Sequence, residues 1–323
     1  DDEGELGSLR IERTLQAADK ADIALMVCCD TELSEEQRWI ELLKERNIPY
    51  LLVLNKADLL EKPDEVADKL EQQTGQHPLI VSAKEKTGID SIRQSILHRL
   101  PELTEQPDIV GDLANEGDVV LLVMPQDIQA PKGRLILPQV QTLRELLDKK
   151  CITLSCTTDQ LDNALKVLSA PPSLIITDSQ VFRTVYEKKP PQSRLTSFSV
   201  LFARYKGDID YYTEGAYIID QLTENSRVLI AEACTHAPLS EDIGRVKLPR
   251  MLRKRIGEQL HIDIVSGNDF PKDLNCYDLI IHCGACMFNR KHVLNRIVKA
   301  KAQGVPMTNY GIVIAYINGI PFH

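Results

Sequence analysis

The sequence predicts an α/β protein of three domains, each a mostly parallel sheet with flanking helices. Three observations carry that reading. Short, wholly apolar runs of strand length recur along the chain, among them Tyr50-Leu51-Leu52-Val53-Leu54, Val228-Leu229-Ile230-Ala231 and Leu279-Ile280-Ile281. Runs of this kind suit strands buried on both faces. Stretches of helical period lie between them, which is the alternation of βαβ units. Finally, 323 residues exceed one comfortable core, and proline-bearing breaks at Pro101–Pro107 and Pro190-Pro191 show where to divide the chain. The domains expected are residues 1–103, 104–190 and 191–323.

Composition narrows the function classes. With 43% hydrophobic and 26% charged residues the chain is ordinary globular material, not a disordered one. A net charge of −9 without a basic stripe speaks against a nucleic-acid partner. No apolar run approaches the ~20 residues a membrane helix needs, and no signal peptide is visible. Eight cysteines, several in metal-like spacing, fit a reducing cytoplasm better than a disulfide framework. The chain opens at Asp1 without a methionine, so residues upstream are expected to be missing.

In the first domain, Ile23 to Asp30 reads as an apolar strand ending in an acid. Leu33 to Glu45 reads as a helix capped by Ser34, with Trp39, Ile40, Leu42 and Leu43 on its buried face. Cys28 and Cys29 fall inside the first strand and suit core packing. The chemistry begins where the Tyr50–Leu54 strand ends, at Asn55-Lys56-Ala57-Asp58. An Asp carboxylate can accept two hydrogen bonds from the N1–H and 2-amino edge of guanine, whereas adenine would face it with a lone pair. The Asn amide can bind the base or brace the next loop, and the Lys stem can cover the ring. A second strand, Leu79-Ile80-Val81, leads into Ser82-Ala83-Lys84.

This pair of motifs resembles the guanine-specificity motifs of the TRAFAC GTPases, especially their TrmE/Era-like branch. The resemblance implies GTP and GDP bound with Mg2+, and hydrolysis of GTP to GDP in the complete protein. No G-x-x-x-x-G-K-[ST] phosphate loop occurs, which leaves hydrolysis by this chain in doubt, and no catalytic residue is assigned. Asp1-Asp2-Glu3-Gly4-Glu5-Leu6-Gly7 resembles the residues just past the family's Asp-x-x-Gly switch motif, as though the chain began partway through a GTPase domain.

The middle domain shows strands at Asp118–Val123, Cys151–Leu154 and Leu174–Thr177 and an amphipathic helix from Val140 to Lys149. It offers no nucleophile with its base, no paired carboxylates and no glycine-rich loop. Cys151 and Cys156 read as buried thiols. An α/β unit without chemistry between two functional domains is a candidate spacer or dimerisation module.

The last domain carries two pieces of one constellation: Cys234-Thr235-His236 and His282-Cys283-Gly284-Ala285-Cys286. Each comes after an apolar strand, and open parallel sheets place ligand sites beyond the carboxyl ends of their strands. Three thiols and two imidazoles would converge there, in the manner of a metal site. The donors suit tetrahedral zinc and an iron–sulfur cluster equally, and spacing leaves both open; the bland alternative is a set of buried apolar cysteines. A helix is expected from near Met287. The basic stretch Arg245 to Gln259, with Arg250, Arg253, Lys254 and Arg255, reads as a solvated face. Cys276 reads as structural, and His261 and His292 as surface or capping residues. Val305 to Tyr310 would close the sheet.

The whole combination resembles the FeFe-hydrogenase maturation GTPases. Beyond the motifs above, the resemblance rests on Cys234–Leu239, Glu241–Lys247, Pro306–Gly311, Pro131–Leu135 and Ile176–Gln180. It implies that Cys234, Cys283 and Cys286 hold a 4Fe–4S cluster with a labile fourth position, for which His236 and His282 are candidates. It implies a transient two-iron precursor bearing carbon monoxide and cyanide, partners in the two radical-SAM maturases and the immature hydrogenase, and a homodimer formed through the middle domain. Two departures stand out: Ala285 replaces a usual glycine, and the spacer between the metal motifs is short for the family. Two rival classes stay open. One is a GTP-regulated binding protein with a structural zinc and an RNA or ribosomal partner; the other is a redox protein that only passes electrons.

Overall fold

The computed structural model describes residues 5–18, 21–45, 48–103, 107–125, 135–233, 243–267, 269–285 and 288–321. The chain is α/β throughout and divides into two compact units, residues 1–106 and 107–323.

The first unit runs α1 (Glu5–Ala18), β1 (Ala24–Cys28), α2 (Ser34–Glu45), β2 (Tyr50–Leu54), α3 (Pro63–Thr74), β3 (Leu79–Ile80) and α4 (Ile89–Leu103). Its sheet is parallel, in the order β1-β2-β3. The central strand β2 is buried at every residue, as an unbroken Tyr-Leu-Leu-Val-Leu run requires. Leu52 and Leu54 pack with Cys28, Leu33, Ala67 and Leu70. Burial, with Glu36 nearby, pushes the Cys28 thiol up to about 11, so it remains a neutral core residue. Pro63 opens α3 and Gly75, left-handed at φ 75°, closes it.

The second unit holds two four-stranded parallel sheets. The first takes β4 (Val119–Val123), α5 (Leu137–Asp148), β5 (Ile152–Cys156), α6 (Leu161–Val167), β6 (Leu174–Thr177), α7 (Phe182–Lys188) and β7 (Arg194–Ser197), with strand order β5-β4-β6-β7. Val120, Leu122, Leu174 and Ile176 feed one of its faces, and Leu121, Val123 and Ile175 the other. The second sheet comes next: α8 (Phe198–Lys206), α9 (Ile209–Tyr217), β8 (Arg227–Ala231), α10 (Leu248–Ile256), β9 (His261–Val265), β10 (Leu279–His282), α11 (Arg290–Ala302), β11 (Met307–Asn309) and α12 (Tyr310–Ile317), in the order β11-β10-β8-β9.

The division expected at residue 190 falls before β7, which pairs with β6 from Arg194 to Ser197. Past it, α8 serves both sheets. Its Phe198, Leu201 and Phe202 enter the core of the first, and its Val200 and Ala203 the core of the second. Burying the two phenylalanines alone is worth about 2–3 kcal/mol each. One shared helix therefore welds residues 107–323 into one unit. Backbone contact tightens the second sheet further: a Cβ on Gly215 of α9 would meet the Met307 carbonyl oxygen at 2.2 Å, so only glycine lets α9 lie on β11.

Three local expectations change. The helix expected from Met287 starts at Arg290, where the Asn289 side chain accepts from the His292 amide. His292 is buried rather than superficial, its ring edge-on to Phe288 at 4.1 Å between centroids. Cys276 stands exposed, beside a turn in which Asp273 accepts from the Asn275 amide. The basic face of α10 is solvated, with Arg250 and Lys254 exposed and Arg255 paired with Asp220 at 2.6 Å. No helix among the described residues is long and apolar enough to cross a membrane.

Candidate functional site

In the first unit the two loop motifs meet. Lys56, left-handed at φ 60°, turns the chain sharply after β2, and the Ala57 amide donates to the Val81 carbonyl at 3.1 Å. That turn sets Asp58 against the second loop, where Ser82 Oγ donates to Asp58 Oδ1 at 2.5 Å. Asn55 Oδ1 accepts from the Ala83 amide at 3.1 Å, so the Asn side chain braces the Ser82-Ala83-Lys84 loop. Lys84 Nζ stands 3.9 Å from Asp58 Oδ2 and is mostly exposed. Ser82 thus engages one oxygen of the Asp58 carboxylate, and the other stands toward Lys84. All six residues expected to read a base edge, Asn55, Lys56, Asp58, Ser82, Ala83 and Lys84, lie on two adjoining loops at the carboxyl ends of β2 and β3.

In the second unit the cysteine loop occupies a topological switch point. From β8 the chain crosses to β9 on one side, then returns to β10 on the other. The crevice at such a reversal is where open parallel sheets bind ligands. His282 ends β10, and Cys283 comes directly after it with its amide donating to Ala231 O at 3.0 Å. The Cys283 sulfur accepts from the Ala233 amide at 2.9 Å and from the Ala285 amide at 3.4 Å. Two N–H groups aimed at one sulfur suit an anionic thiolate. Ala285, the departure from glycine, is left-handed at φ 48° and carries its methyl into the core. That conformation costs an L-residue roughly 1–2 kcal/mol, offset in part by about 0.8 kcal/mol for the buried methyl.

Buried polar side chains surround this loop. Lys206 of α8 donates to the Ala285 and Phe288 carbonyls, each at 2.8 Å. Asn309, ending β11, donates to the Cys283 carbonyl at 3.4 Å while its oxygen accepts from the Gly311 amide. His282 is wholly buried, and both ring nitrogens are engaged. Nδ1 donates to the Cys283 carbonyl at 2.7 Å, and Nε2 accepts from Arg296 Nη1 at 2.9 Å. Burial first, then the Arg296 charge, lowers its pKa to about 3, so the ring is neutral. In this arrangement His282 offers no nitrogen to a metal. Cys234, His236 and Cys286 lie outside the described residues; Ala233, the last described residue before Cys234, touches the Cys283 sulfur through its amide.

The sequence reading missed Arg296 and Lys206. A signal for Arg296 was present: Val293, Arg296, Ile297 and Ala300 fall at the spacing of one helical stripe, and all four are buried. A cation inside an apolar stripe marks a buried charge. Lys206, last residue of α8, gave no comparable signal.

Comparison with known proteins agrees with this architecture. Part of the chain is similar to GTPases: it is 39% identical over 99 residues to the tRNA modification GTPase MnmE of Thermotoga sp. (strain RQ2), covering 30% of this chain and 22% of that protein. It is 33% identical over 156 residues to GTPase Era of Thermoanaerobacter sp. (strain X514), covering 44% of this chain and 49% of that protein. The chain thus spans about a fifth to a half of these relatives. Residues 109–207 match the hydrogen maturase F dimerization domain, the sheet β5-β4-β6-β7 with α8. Residues 210–321, the sheet that carries the cysteine loop, match the hydrogen maturase F tetramerization domain. With both domains present in succession behind a GTPase-like segment, the chain belongs to the hydrogen maturase F family.

Proposed function

We propose that this protein is the scaffold or carrier GTPase of FeFe-hydrogenase maturation. It binds a 4Fe–4S cluster and assembles or delivers the two-iron precursor, with its carbon monoxide and cyanide, to the immature hydrogenase. The observation that carries the reading is the Cys283 sulfur at the β8/β10 switch point, receiving two backbone N–H groups beside the segment that leads to Cys234. Cys234, Cys283 and Cys286 hold the cluster through soft anionic sulfur. Three thiolates leave one iron able to take an exchangeable ligand, which a temporary carrier needs. With both nitrogens of His282 engaged, His236 is the imidazole for that position, and His282 orients the loop from behind.

The GTPase-like unit reads guanine through Asp58, oriented by Ser82, while Asn55 holds the Ser82-Ala83-Lys84 loop and the Lys56 and Lys84 stems flank the base. In the complete protein, GTP and GDP bind with Mg2+. The matched dimerization and tetramerization domains support a homodimer built on residues 109–207 and further assembly through residues 210–321. Partners are the hydrogenase apo-protein and the radical-SAM maturases, in the cytoplasm, with neither nucleic acid nor membrane involved.

A transfer experiment tests the carrier role. Protein matured alongside the radical-SAM enzymes is mixed anaerobically with hydrogenase apo-protein, and the two are separated. The infrared stretches of carbon monoxide and cyanide are expected to leave this protein and appear on the hydrogenase, with hydrogen evolution rising in step. Bands that never associate with this protein, or that stay on it, contradict the reading.

A further inference from the structure

The guanidinium of Arg296 is buried, only 3% exposed, among neutral groups. Nη1 donates to His282 Nε2 at 2.9 Å and Nη2 donates to the Gly267 carbonyl. Phe270 and Phe288 present their rings to it, 4.8 and 5.6 Å from its central carbon. Its Nε is buried with no hydrogen-bond partner among the described residues. No described carboxylate pairs with it either, whereas the more exposed Arg255 and Arg227 pair with Asp220 and Asp263.

A buried charge without a counter-charge is among the least favourable arrangements in a protein interior, and it persists where an anion compensates it. Burial lowers the Arg296 pKa only to about 10, which leaves it charged at neutral pH; the sulfur of Cys283 is the foremost group acting in the opposite sense. One route links the two. Arg296 donates to His282 Nε2, which strengthens Nδ1–H as a donor to the carbonyl of Cys283 itself. Three thiolates around an oxidised cubane leave a net negative charge, and one-electron reduction adds another.

We propose that Arg296 is a positioning residue and the resident counter-charge of the cysteine site: its cation, coupled to Cys283 through His282, offsets the negative charge of the bound cluster and eases its reduction. The inference rests on the reading of Cys283 as a cluster ligand. The charge of this one buried cation, more than its shape, sets the potential.

The test compares cluster-loaded wild-type protein with Arg296→Gln and Arg296→Lys, by EPR-monitored redox titration at equal iron and sulfide per chain. Gln keeps a donor for His282 but removes the charge; Lys keeps the charge. At the potential that reduces half of the wild-type clusters, about one tenth or fewer of the R296Q clusters should be reduced, while R296K should stay close to wild type. Equal potentials in wild type and R296Q overturn the proposal, and so does an R296K shift as large as that of R296Q. Should R296Q fail to fold, Arg296→Met, neutral and apolar, takes its place in the same comparison with R296K. Wild-type protein that takes up no iron and sulfide would overturn the cluster reading itself, a result distinct from identical potentials in loaded samples.

Discussion

Replacing Cys283 with alanine is expected to reduce bound iron and sulfide to about a tenth of the wild-type content or less. Cys234→Ala and Cys286→Ala should do the same, since loss of one thiolate of three leaves too few soft anionic ligands to retain a cluster. Cys283 should show the effect without loss of fold. Its sulfur accepts from the amides of the buried residues Ala233 and Ala285, whose loss of a partner costs about 1–3 kcal/mol each, while alanine leaves the strand pairing of β10 intact. The two histidines should separate. His236→Ala is expected to keep the cluster and alter its EPR signal and its response to added imidazole. His282→Ala removes a buried ring that partners Arg296 and the Cys283 carbonyl, and leaving such groups unpaired costs about 1–3 kcal/mol each. Its first effect should be a lower melting temperature, read by circular dichroism.

Asp58→Asn is expected to exchange guanine for xanthine. The carboxylate accepts from the N1–H and 2-amino edge, and an amide places a donor where guanine also donates. Xanthine carries a carbonyl at that edge and accepts instead. In protein extended upstream to carry a phosphate loop, calorimetry should show GDP affinity falling by about 100-fold or more, with xanthosine diphosphate gaining. The Ser82 hydroxyl can turn to accept from or donate to the new amide, so the fold should be undisturbed. Equal affinity of the unmutated protein for GDP and ADP would remove the guanine reading.

How much of this was legible in the sequence depends on where the chemistry sits. β2, β8 and β10 are unbroken apolar runs bounded by polar loops, and the structure buries them as central strands. That the Asn55–Asp58 and Ser82–Lys84 loops adjoin was legible because both motifs stand directly after strands. β7 was not: Arg-Leu-Thr-Ser carries one large apolar residue, yet Thr196 and Ser197 are buried. The Pro190-Pro191 pair before it reads as a linker. In the fold, Lys189 Nζ donates to the Pro190 and Ser193 carbonyls at 3.3 and 2.9 Å, which closes the turn between α7 and β7. The helix after it, α8, is apolar on more than one face because it serves two cores, a pattern one-stripe reasoning does not anticipate. At the cysteine loop the candidate donors were legible and the side chains around them were not. His282 carried the appearance of a ligand, whereas its partners, Arg296 and the Cys283 carbonyl, come together only through α11 and the end of β10.

The central claim, that this switch-point crevice holds an iron–sulfur cluster, is tested most directly by anaerobic purification of the protein followed by iron, sulfide and zinc analysis and EPR of the reduced sample. The account predicts about four irons and four sulfides per chain, with a cubane signal that added imidazole perturbs. One zinc per chain with no sulfide and no EPR signal would contradict it, leaving a GTPase-like protein with a structural zinc site.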